Sequence, residues 1–396
     1  MGKRKIAAVL LIMLIMLQGI SVKAEEISGN GMTKEELELE QLIEESVKGL
    51  KEISGSTKMN VLSDKEVFQA GSSICDWIAI ALAFSEEKDA YEDYRTRLEA
   101  YVTDCYKEKG CLDEVAATTY QKCVLTILAL GGDPLSFGTD TEGNSINILA
   151  EGTYYFKGES LGAQGLTGYI YALIALDTKQ YPIPEDAVYT RADILSAILE
   201  SQSEDGGFSL SGNGNDVDIT AMALQALAPY KGQPEVDVSI EKALEWLSEE
   251  MTQYGTFVSG NAESCESTAQ VIQAMCALDL DVTGNARFQK NGMTPWDGLE
   301  QFRLEDGTYV HTLEEQKGNL IATEQALLTL EAVQKRVQQD SWLLDYTTYE
   351  LSEEQCTDGN SIGAAGIIGI GVVVVLVIVI AGVVLNKKKG KRNEHA

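Results

Sequence analysis

Apolar segments without charged residues alternate with amphipathic segments along most of this chain. Ile219–Pro229 carries one amide and no charge, which is typical of a helix buried on nearly all sides. The segment 237–251 instead places Ile240, Leu244 and Leu247 on one stripe, as in a helix with a single buried face. The alternation predicts twelve helices, in which each amphipathic outer helix is followed by an apolar inner helix. Their predicted bounds are 33–53, 72–84, 89–108, 115–130, 143–150, 163–176, 186–202, 218–228, 237–251, 265–278, 294–303 and 319–336.

A sequence repeat supports this pairing of helices. Each of the six inner segments ends in a similar triplet of residues. The residue seven positions before the end of the triplet is two helical turns away and therefore lies on the same helix face as that end. Thr220, Thr268 and Thr323 occupy that position in three repeats, and a glycine followed by an aromatic residue precedes the inner segment. Six helix pairs predict an all-α fold, an (α/α)6 toroid, with an open solenoid as the alternative. Thr153–Lys157 is the one β-like run.

Both ends of the chain predict a membrane-anchored protein. Residues 1–24 have the basic start, apolar stretch and small-residue cleavage site of a signal peptide. Residues 362–385 contain no charge and are long enough for a hydrocarbon core of ~30 Å. The basic residues that follow are expected to stay cytoplasmic. The predicted parts are a signal peptide (1–24), a toroid (25–336), a juxtamembrane stalk (337–361), a transmembrane helix (362–385) and a basic cytoplasmic tail (386–396). This arrangement predicts a single-pass type I protein of the cell membrane, with its bulk outside the cell.

The charge of the chain excludes one class of partner. Its 396 residues include 61 acidic and 31 basic ones, which give a formal net charge of −30. Such a surface repels the phosphates of nucleic acids, so we expect no nucleic-acid binding. The chain has seven cysteines, an odd number, so at least one is unpaired or is paired to another chain.

Two segments carry a resemblance to a known superfamily. Gln202–Phe208, which contains Gly206 and Gly207 before the aromatic residue, is followed by Asp216–Leu227. Together they resemble the repeat of the squalene-cyclase and protein-prenyltransferase superfamily, whose members are terpenoid-cyclase-like α/α toroids. A more distant likeness is to transcobalamin-type toroids. With the predicted anchor, the resemblance implies a bacterial-type membrane-anchored surface protein with this fold.

The catalytic signatures of the superfamily are incomplete in this sequence. Class II cyclases share a DxDD motif, whose middle aspartate acts as the general acid. Here Asp216 and Asp218 are present, but Ile219 stands where the last carboxylate would be. Asp218 has an alternative role as the N-cap of the inner helix. The zinc-binding Asp-x-Cys of prenyltransferases is absent. These departures argue against catalysis.

Aromatic and polar residues at the inner helices and their loops predict a ligand site. Acidic residues in the loops that precede the inner helices are expected to share one rim of the toroid, which we call the acidic rim. It comprises Asp113, Glu114, Asp216, Asp218, Glu263, Glu266, Glu314 and Glu315. The candidate ligand-binding residues are Trp77, Tyr120, Tyr169, Phe208, Asp216, Asp218, Gln225, Glu266, Gln273 and Tyr309.

Calcium is the one ion that the sequence suggests. Asp140, Glu142 and Asn144 place oxygen donors at alternate positions of one loop. Ca²⁺ takes six to eight such ligands, and this loop does not complete an EF-hand. We therefore expect an acidic turn and no cofactor, with Ca²⁺ as a weak alternative.

The sequence favours a non-catalytic cell-surface binding module, a receptor or adhesion protein. Its acidic, aromatic-lined rim would bind a small-molecule, sugar-like or cationic protein ligand outside the cell. The alternative is a terpenoid-cyclase-like or glycan-active enzyme that uses the rim carboxylates Asp216, Asp218 and Glu266.

Overall fold

The computed structural model describes residues 34–339 and 341–357 and is mostly helical within them. This confirms the prediction of an all-α fold. Twelve α-helices occur in the described part of the chain. They are α1 (Lys34–Ile53), α2 (Ser73–Phe84), α3 (Tyr91–Lys109), α4 (Ala117–Ala129), α5 (Ile148–Gly152), α6 (Thr167–Asp177), α7 (Arg191–Glu200), α8 (Val217–Leu227), α9 (Pro234–Glu250), α10 (Cys265–Ala277), α11 (Pro295–Glu300) and α12 (Leu320–Gln339).

The chain divides into two compact units between Leu42 and Ile43. Of the first unit, the structure describes residues 34–42, which form the first turns of α1. The second unit contains the rest of α1 and all the other helices.

The even-numbered helices of the second unit from α2 to α10 are largely apolar, with one charged residue each. In α8, nine of the eleven residues are buried, because the segment offers apolar or small side chains on every face. Each even-numbered helix contacts the next even-numbered helix, from α2 to α12, and α12 in turn contacts α2. The odd-numbered helices α5, α7, α9 and α11 each pack against an even-numbered neighbour.

A hydrogen bond repeats in three successive helix pairs. The backbone N–H of the aromatic residue in the glycine turn donates to the hydroxyl of the repeated threonine on the following even-numbered helix. The three bonds run from Phe208 N to Thr220 Oγ1 (2.8 Å), from Phe257 N to Thr268 Oγ1 (3.1 Å) and from Tyr309 N to Thr323 Oγ1 (2.9 Å). The aromatic side chains at these three turns are fully buried. The repeated aromatic and threonine positions of the sequence therefore correspond to a hydrogen bond that fixes each turn to the helix that follows it.

The β-structure lies elsewhere than predicted. Thr153–Lys157 is a turn at the end of α5, where the Tyr155 N–H donates to the Ala150 carbonyl (2.8 Å). A hairpin forms instead from β1 (Phe257–Ser259) and β2 (Ala262–Ser264), in antiparallel register. Gly260 lies at its tip with φ +63°, a conformation that glycine adopts without strain.

Residues 341–357, which we call the capping segment, lie across the C-terminal ends of α2 and α4. Helix α12 runs to Gln339 before this segment begins. The hydrogen bonds of the capping segment run from Tyr346 Oη to Leu125 O (3.3 Å), from Tyr349 Oη to Ala129 O (3.0 Å) and from Gln355 Nε2 to Ala83 O (2.9 Å). The final carbonyls of a helix have no partner within it, and the capping segment donates hydrogen bonds to those of Ala83 and Ala129. The predicted stalk (337–361) thus includes residues that pack on the helical core.

No helix within residues 34–339 and 341–357 is long and apolar enough to cross a membrane. The predicted signal peptide (1–24), transmembrane helix (362–385) and basic tail (386–396) lie outside the described residues. None of the seven cysteines, all of which the structure describes, is in a disulfide.

Candidate functional site

A cleft of about 610 Å³ opens at the N-terminal ends of α4, α6 and α8. Thr118 and Thr167 contribute polar side chains, and Met222 contributes an apolar one. The loop 210–215 forms one wall. Asp216 and Asp218 also line the cleft, and none of the described residues that line it is basic. The cleft therefore has a negative potential at its mouth and disfavours phosphate groups.

Asp216, not Asp218, caps helix α8. Asp216 Oδ1 accepts a hydrogen bond from Ile219 N (3.0 Å), and the Asp216 N–H donates to the Phe208 carbonyl (2.8 Å). The helix begins at Val217, one residue earlier than predicted. The suggestion that Asp218 serves as the N-cap is therefore wrong, and its carboxyl group is free for another role.

The carboxyl group of Asp218 keeps its proton to a higher pH than an ordinary aspartate does. Burial raises the pKa of Asp218 to about 6, although the Ser267 hydroxyl lowers it. The negative charges of Asp216 and Glu266 raise this pKa further. Asp218 Oδ1 is buried and has no hydrogen-bond partner among the described residues. Such a group can give a proton to a molecule in the cleft.

Glu266, in the first turn of the neighbouring helix α10, is held by two partners. His311 Nδ1 lies 2.8 Å from Glu266 Oε2, and the Ser264 hydroxyl donates to the same oxygen (3.1 Å). The two segments are fixed to each other because the Cys265 N–H donates to the His311 carbonyl (3.0 Å). Glu266 thus brings a positioned carboxylate to the group that contains Asp218.

Two aromatic residues meet from even-numbered helices that do not follow one another. The ring centroids of Trp77 on α2 and Tyr171 on α6 are 6.3 Å apart, and both residues are partly exposed. Burial raises the pKa of Tyr171, and the charges of Glu324 and Asp218 raise it further.

A chain of amide side chains joins three successive even-numbered helices. Gln225 Nε2 on α8 donates to Gln270 Oε1 on α10 (3.0 Å). Gln270 Nε2 then donates to Gln325 Oε1 on α12 (2.7 Å). We call these three residues the amide chain. Gln225 lies seven residues after Asp218 and therefore shares its helix face.

Glu324 stands beside the end of the amide chain. Burial raises the pKa of Glu324 to about 8, against a lowering by Gln325, and the charge of Glu266 raises it further. Glu324 Oε1 is buried without a hydrogen-bond partner in the described part of the chain. The sequence signal for this residue was a carboxylate in an apolar helix, but Glu324 was not among the predicted site residues.

The predicted ligand-binding residues divide into two groups. Trp77, Asp216, Asp218 and Gln225 belong to the cleft, the aromatic pair or the amide chain, and Glu266 is the carboxylate whose charge raises the pKa of Asp218. The other five, Tyr120, Tyr169, Phe208, Gln273 and Tyr309, have partners elsewhere in the fold.

Those five residues have partners that explain their positions. Phe208 and Tyr309 fill the repeated turns, and Tyr120 Oη accepts a hydrogen bond from Leu112 N (3.0 Å). Gln273 Nε2 donates to Thr329 Oγ1 (3.0 Å), and the ring of Tyr169 lies against the backbone at Gly162.

The proposed calcium loop uses its oxygens internally. Asp140 Oδ1 accepts from Glu142 N (2.9 Å) and Asn144 N (2.8 Å), and Asp140 Oδ2 accepts from Asn144 Nδ2 (3.0 Å). These bonds lower the pKa of Asp140. Within the described residues, no group of three or more His, Cys, Asp or Glu side chains is arranged to hold a metal ion.

Comparison with known proteins found solved structures but no sequence relatives. No protein-family model and no curated protein matches the chain. One similar structure is Candida albicans protein geranylgeranyltransferase-I complexed with GGPP, with a TM-score of 0.48 and 11% identity over 79% of this chain and 96% of that one. Another is the type II terpene cyclase MstE from Scytonema, with a TM-score of 0.45 and 14% identity over 76% of this chain and 99% of that one.

The prediction of a non-catalytic receptor or adhesion module is corrected: both similar structures are of enzymes, a prenyltransferase and a terpene cyclase, and at 11% and 14% identity the likeness concerns the fold alone. The residues give the physical reason. The prediction counted carboxylates along α8 and found Ile219 in place of the last one. Burial of Asp218 and the charges of Asp216 and of Glu266, which lies on a different helix, raise the pKa of Asp218 without a carboxylate at position 219.

Proposed function

We propose that the protein is an enzyme in which Asp218 acts as a general acid on a neutral, largely apolar substrate bound in the cleft. The observation that carries the proposal is the buried, unpartnered oxygen of Asp218 in a cleft, on a carboxyl group with a pKa of about 6. A general acid is most effective when its pKa lies near the working pH.

The surroundings of Asp218 indicate which substrates can bind. The acidic residues and the lack of basic residues at the cleft disfavour an anionic group at this position. Met222 lines the cleft with an apolar side chain, and we propose that the aromatic pair Trp77 and Tyr171 extends this apolar surface to accommodate a polyene. Proton transfer to an alkene creates positive charge, and aromatic faces and carboxylates stabilise such charge.

We also propose the finer architecture. The contact of each even-numbered helix with the next, and of α12 with α2, supports a closed (α/α)6 toroid of six helix pairs. The sequence of residues 1–24 and 362–396 supports a bacterial-type, membrane-anchored surface protein, in which this catalytic unit lies outside the cell. We propose no cofactor for this site.

The proposal is tested with the full chain in detergent micelles. The probes are squalene, as a neutral polyene, and a neutral oligosaccharide, with products identified by mass spectrometry. We expect acid-catalysed conversion of squalene by the wild type and a loss of roughly 10²–10⁴-fold in Asp218→Asn. Asp216→Asn keeps the helix cap, because asparagine caps a helix as well as aspartate does, and should retain turnover but shift its pH dependence to lower pH, since the charge of Asp216 raises the pKa of Asp218. The wild-type rate should fall as pH rises above about 6, since the acid must be protonated.

Equal, background turnover of both probes by the wild type and Asp218→Asn would reject the proposal. Hydrolysis of the oligosaccharide that depends on Asp218 would keep the general acid but replace the apolar substrate by a glycan, with Glu266 as the second carboxylate.

A further inference from the structure

Glu324 is a buried carboxyl group outside the cleft whose hydrogen-bonding capacity is not filled by the described residues. It is 4% exposed, and its Oε1 atom has no partner among the described residues. The apolar positions of α12 around it, such as Ala322 and Ala326, are fully buried. Buried polar groups in proteins are nearly always hydrogen-bonded, so a free carboxyl oxygen at this position calls for a ligand or a water molecule.

The protonation state of Glu324 determines which ligand group fits. Burial raises its pKa to about 8, so the carboxyl group is mostly uncharged at neutral pH and both donates and accepts hydrogen bonds. A cationic ligand gains no ion pair from an uncharged carboxyl group. A hydroxyl or carbonyl group on a neutral molecule matches both capacities.

The amide chain extends this polar patch across three helices. Each amide donates to the next in the order Gln225, Gln270, Gln325, so the Gln225 carbonyl oxygen remains at one end as a further acceptor. Gln225 and Gln270 are 4% and 6% exposed. Side chains this buried and mutually bonded are fixed in position before a ligand arrives, which favours directional recognition.

Tyr171 is influenced by the charges of both Glu324 and Asp218, and the Trp77 ring lies 6.3 Å from it. A molecule that contacts this aromatic pair can therefore present one end to Asp218 and another to Glu324.

We propose that Glu324 and the amide chain form a second polar subsite, which binds a hydroxyl or carbonyl group of a neutral polyene whose reacting double bond lies at Asp218. The identity of the reacting end rests on the proposed function, whereas binding at Glu324 does not. The subsite makes the substrate an oxygenated polyene, with its polar group remote from the bond that is protonated.

The test is equilibrium binding to the full chain in micelles, with farnesol and the corresponding deoxy hydrocarbon as probes. We expect the wild type to bind farnesol about tenfold more tightly than the hydrocarbon, which is the effect of one well-placed hydrogen bond in a buried site. Glu324→Leu should remove this preference, and Glu324→Gln, which keeps a donor and an acceptor, should retain most of it.

Glu331→Leu is the matched control. Glu331 lies two turns further along α12, is also buried, and also has an oxygen without a partner among the described residues. Its replacement removes a comparable carboxyl group and should leave the preference for farnesol unchanged.

Three outcomes overturn the subsite: equal affinity of the wild type for both probes, no binding of farnesol, or an unchanged preference in Glu324→Leu. In the first and third outcomes, a water molecule is the hydrogen-bond partner of Glu324 instead of a ligand. Turnover that still depends on Asp218 would then leave the proposed function standing. A farnesol preference that depends on Glu324 without any turnover would support the subsite and reject the function.

Discussion

Replacing Asp218 by asparagine should stabilise the protein at neutral pH, although it removes the proposed acid. The pKa of this carboxyl group is about 6 in the folded protein, against 3.8 when it is unperturbed. Above pH 6 the folded protein therefore contains a carboxylate that would be better solvated in the unfolded chain. Asparagine has nearly the same shape and carries no charge, so it avoids this cost.

The size and pH range of the effect follow from the two pKa values. A difference of one in pKa corresponds to about 1.4 kcal/mol, so the ionised group costs about 3 kcal/mol as an upper limit. Below pH ~3.8 the group is protonated in both states and the cost is absent. Between pH ~3.8 and ~6 the unfolded chain ionises first, and the cost grows. Above pH ~6 it stays constant.

The assay is thermal unfolding of the wild type and Asp218→Asn at pH values from 4 to 9. We expect similar melting temperatures near pH 4 and a variant that is more stable by several degrees at pH 7. Glu324→Gln should show the same sign, but its advantage should keep growing up to about pH 8, because the Glu324 pKa is about 8. An Asp218→Asn variant that is less stable at pH 7, or a difference that does not change between pH 4 and 7, would refute the argument.

Two further substitutions test the packing that holds the site. Gly307→Ala places a methyl group 2.3 Å from the Glu45 carbonyl at φ +82° and should cost ~2–4 kcal/mol in unfolding free energy. Gly212→Ala has a similar φ of +80° but no atom within 4 Å of the new methyl group, so it should cost only ~1–2 kcal/mol. Equal losses in chemical denaturation would contradict the steric explanation. Lys122→Met leaves the fully buried Asp76, now 2.5 Å from the Lys122 ammonium, without its cation and should destabilise the fold by ~3–5 kcal/mol. Adding Asp76→Asn should recover much of that loss, and a single-variant loss below ~1 kcal/mol would show that the pair is not needed.

The helices could be predicted from the sequence because their signal is local. Charge-free segments such as Ile219–Pro229 leave no ambiguity about burial. Boundaries were less accurate where a turn competes with a helix. The fifth helix was predicted at 143–150 and begins at Ile148, because Asp140 closes a turn and Asn147 Oδ1 caps the helix at Ala150 N (2.9 Å).

The site was harder to predict because its contacts join different helices. Gln225 and Gln273 occupy equal positions in the repeat, yet Gln225 bonds to Gln270, and Gln273 bonds to Thr329. The register between neighbouring helices depends on their packing and does not appear in a single repeat. For the same reason, the influence of Glu266 on Asp218 could not be read along α8.

The capping segment has a consequence for the order of folding. The bond from Gln355 Nε2 to the Ala83 carbonyl joins residues 272 positions apart, and α12 contacts α2 across a similar distance in sequence. Contacts of such high sequence separation form slowly because a long loop must close first. During synthesis, α2 leaves the ribosome long before its last partners exist. The apolar end of α2 must therefore remain exposed, and open to chaperones or to aggregation, until almost the whole domain has been translated.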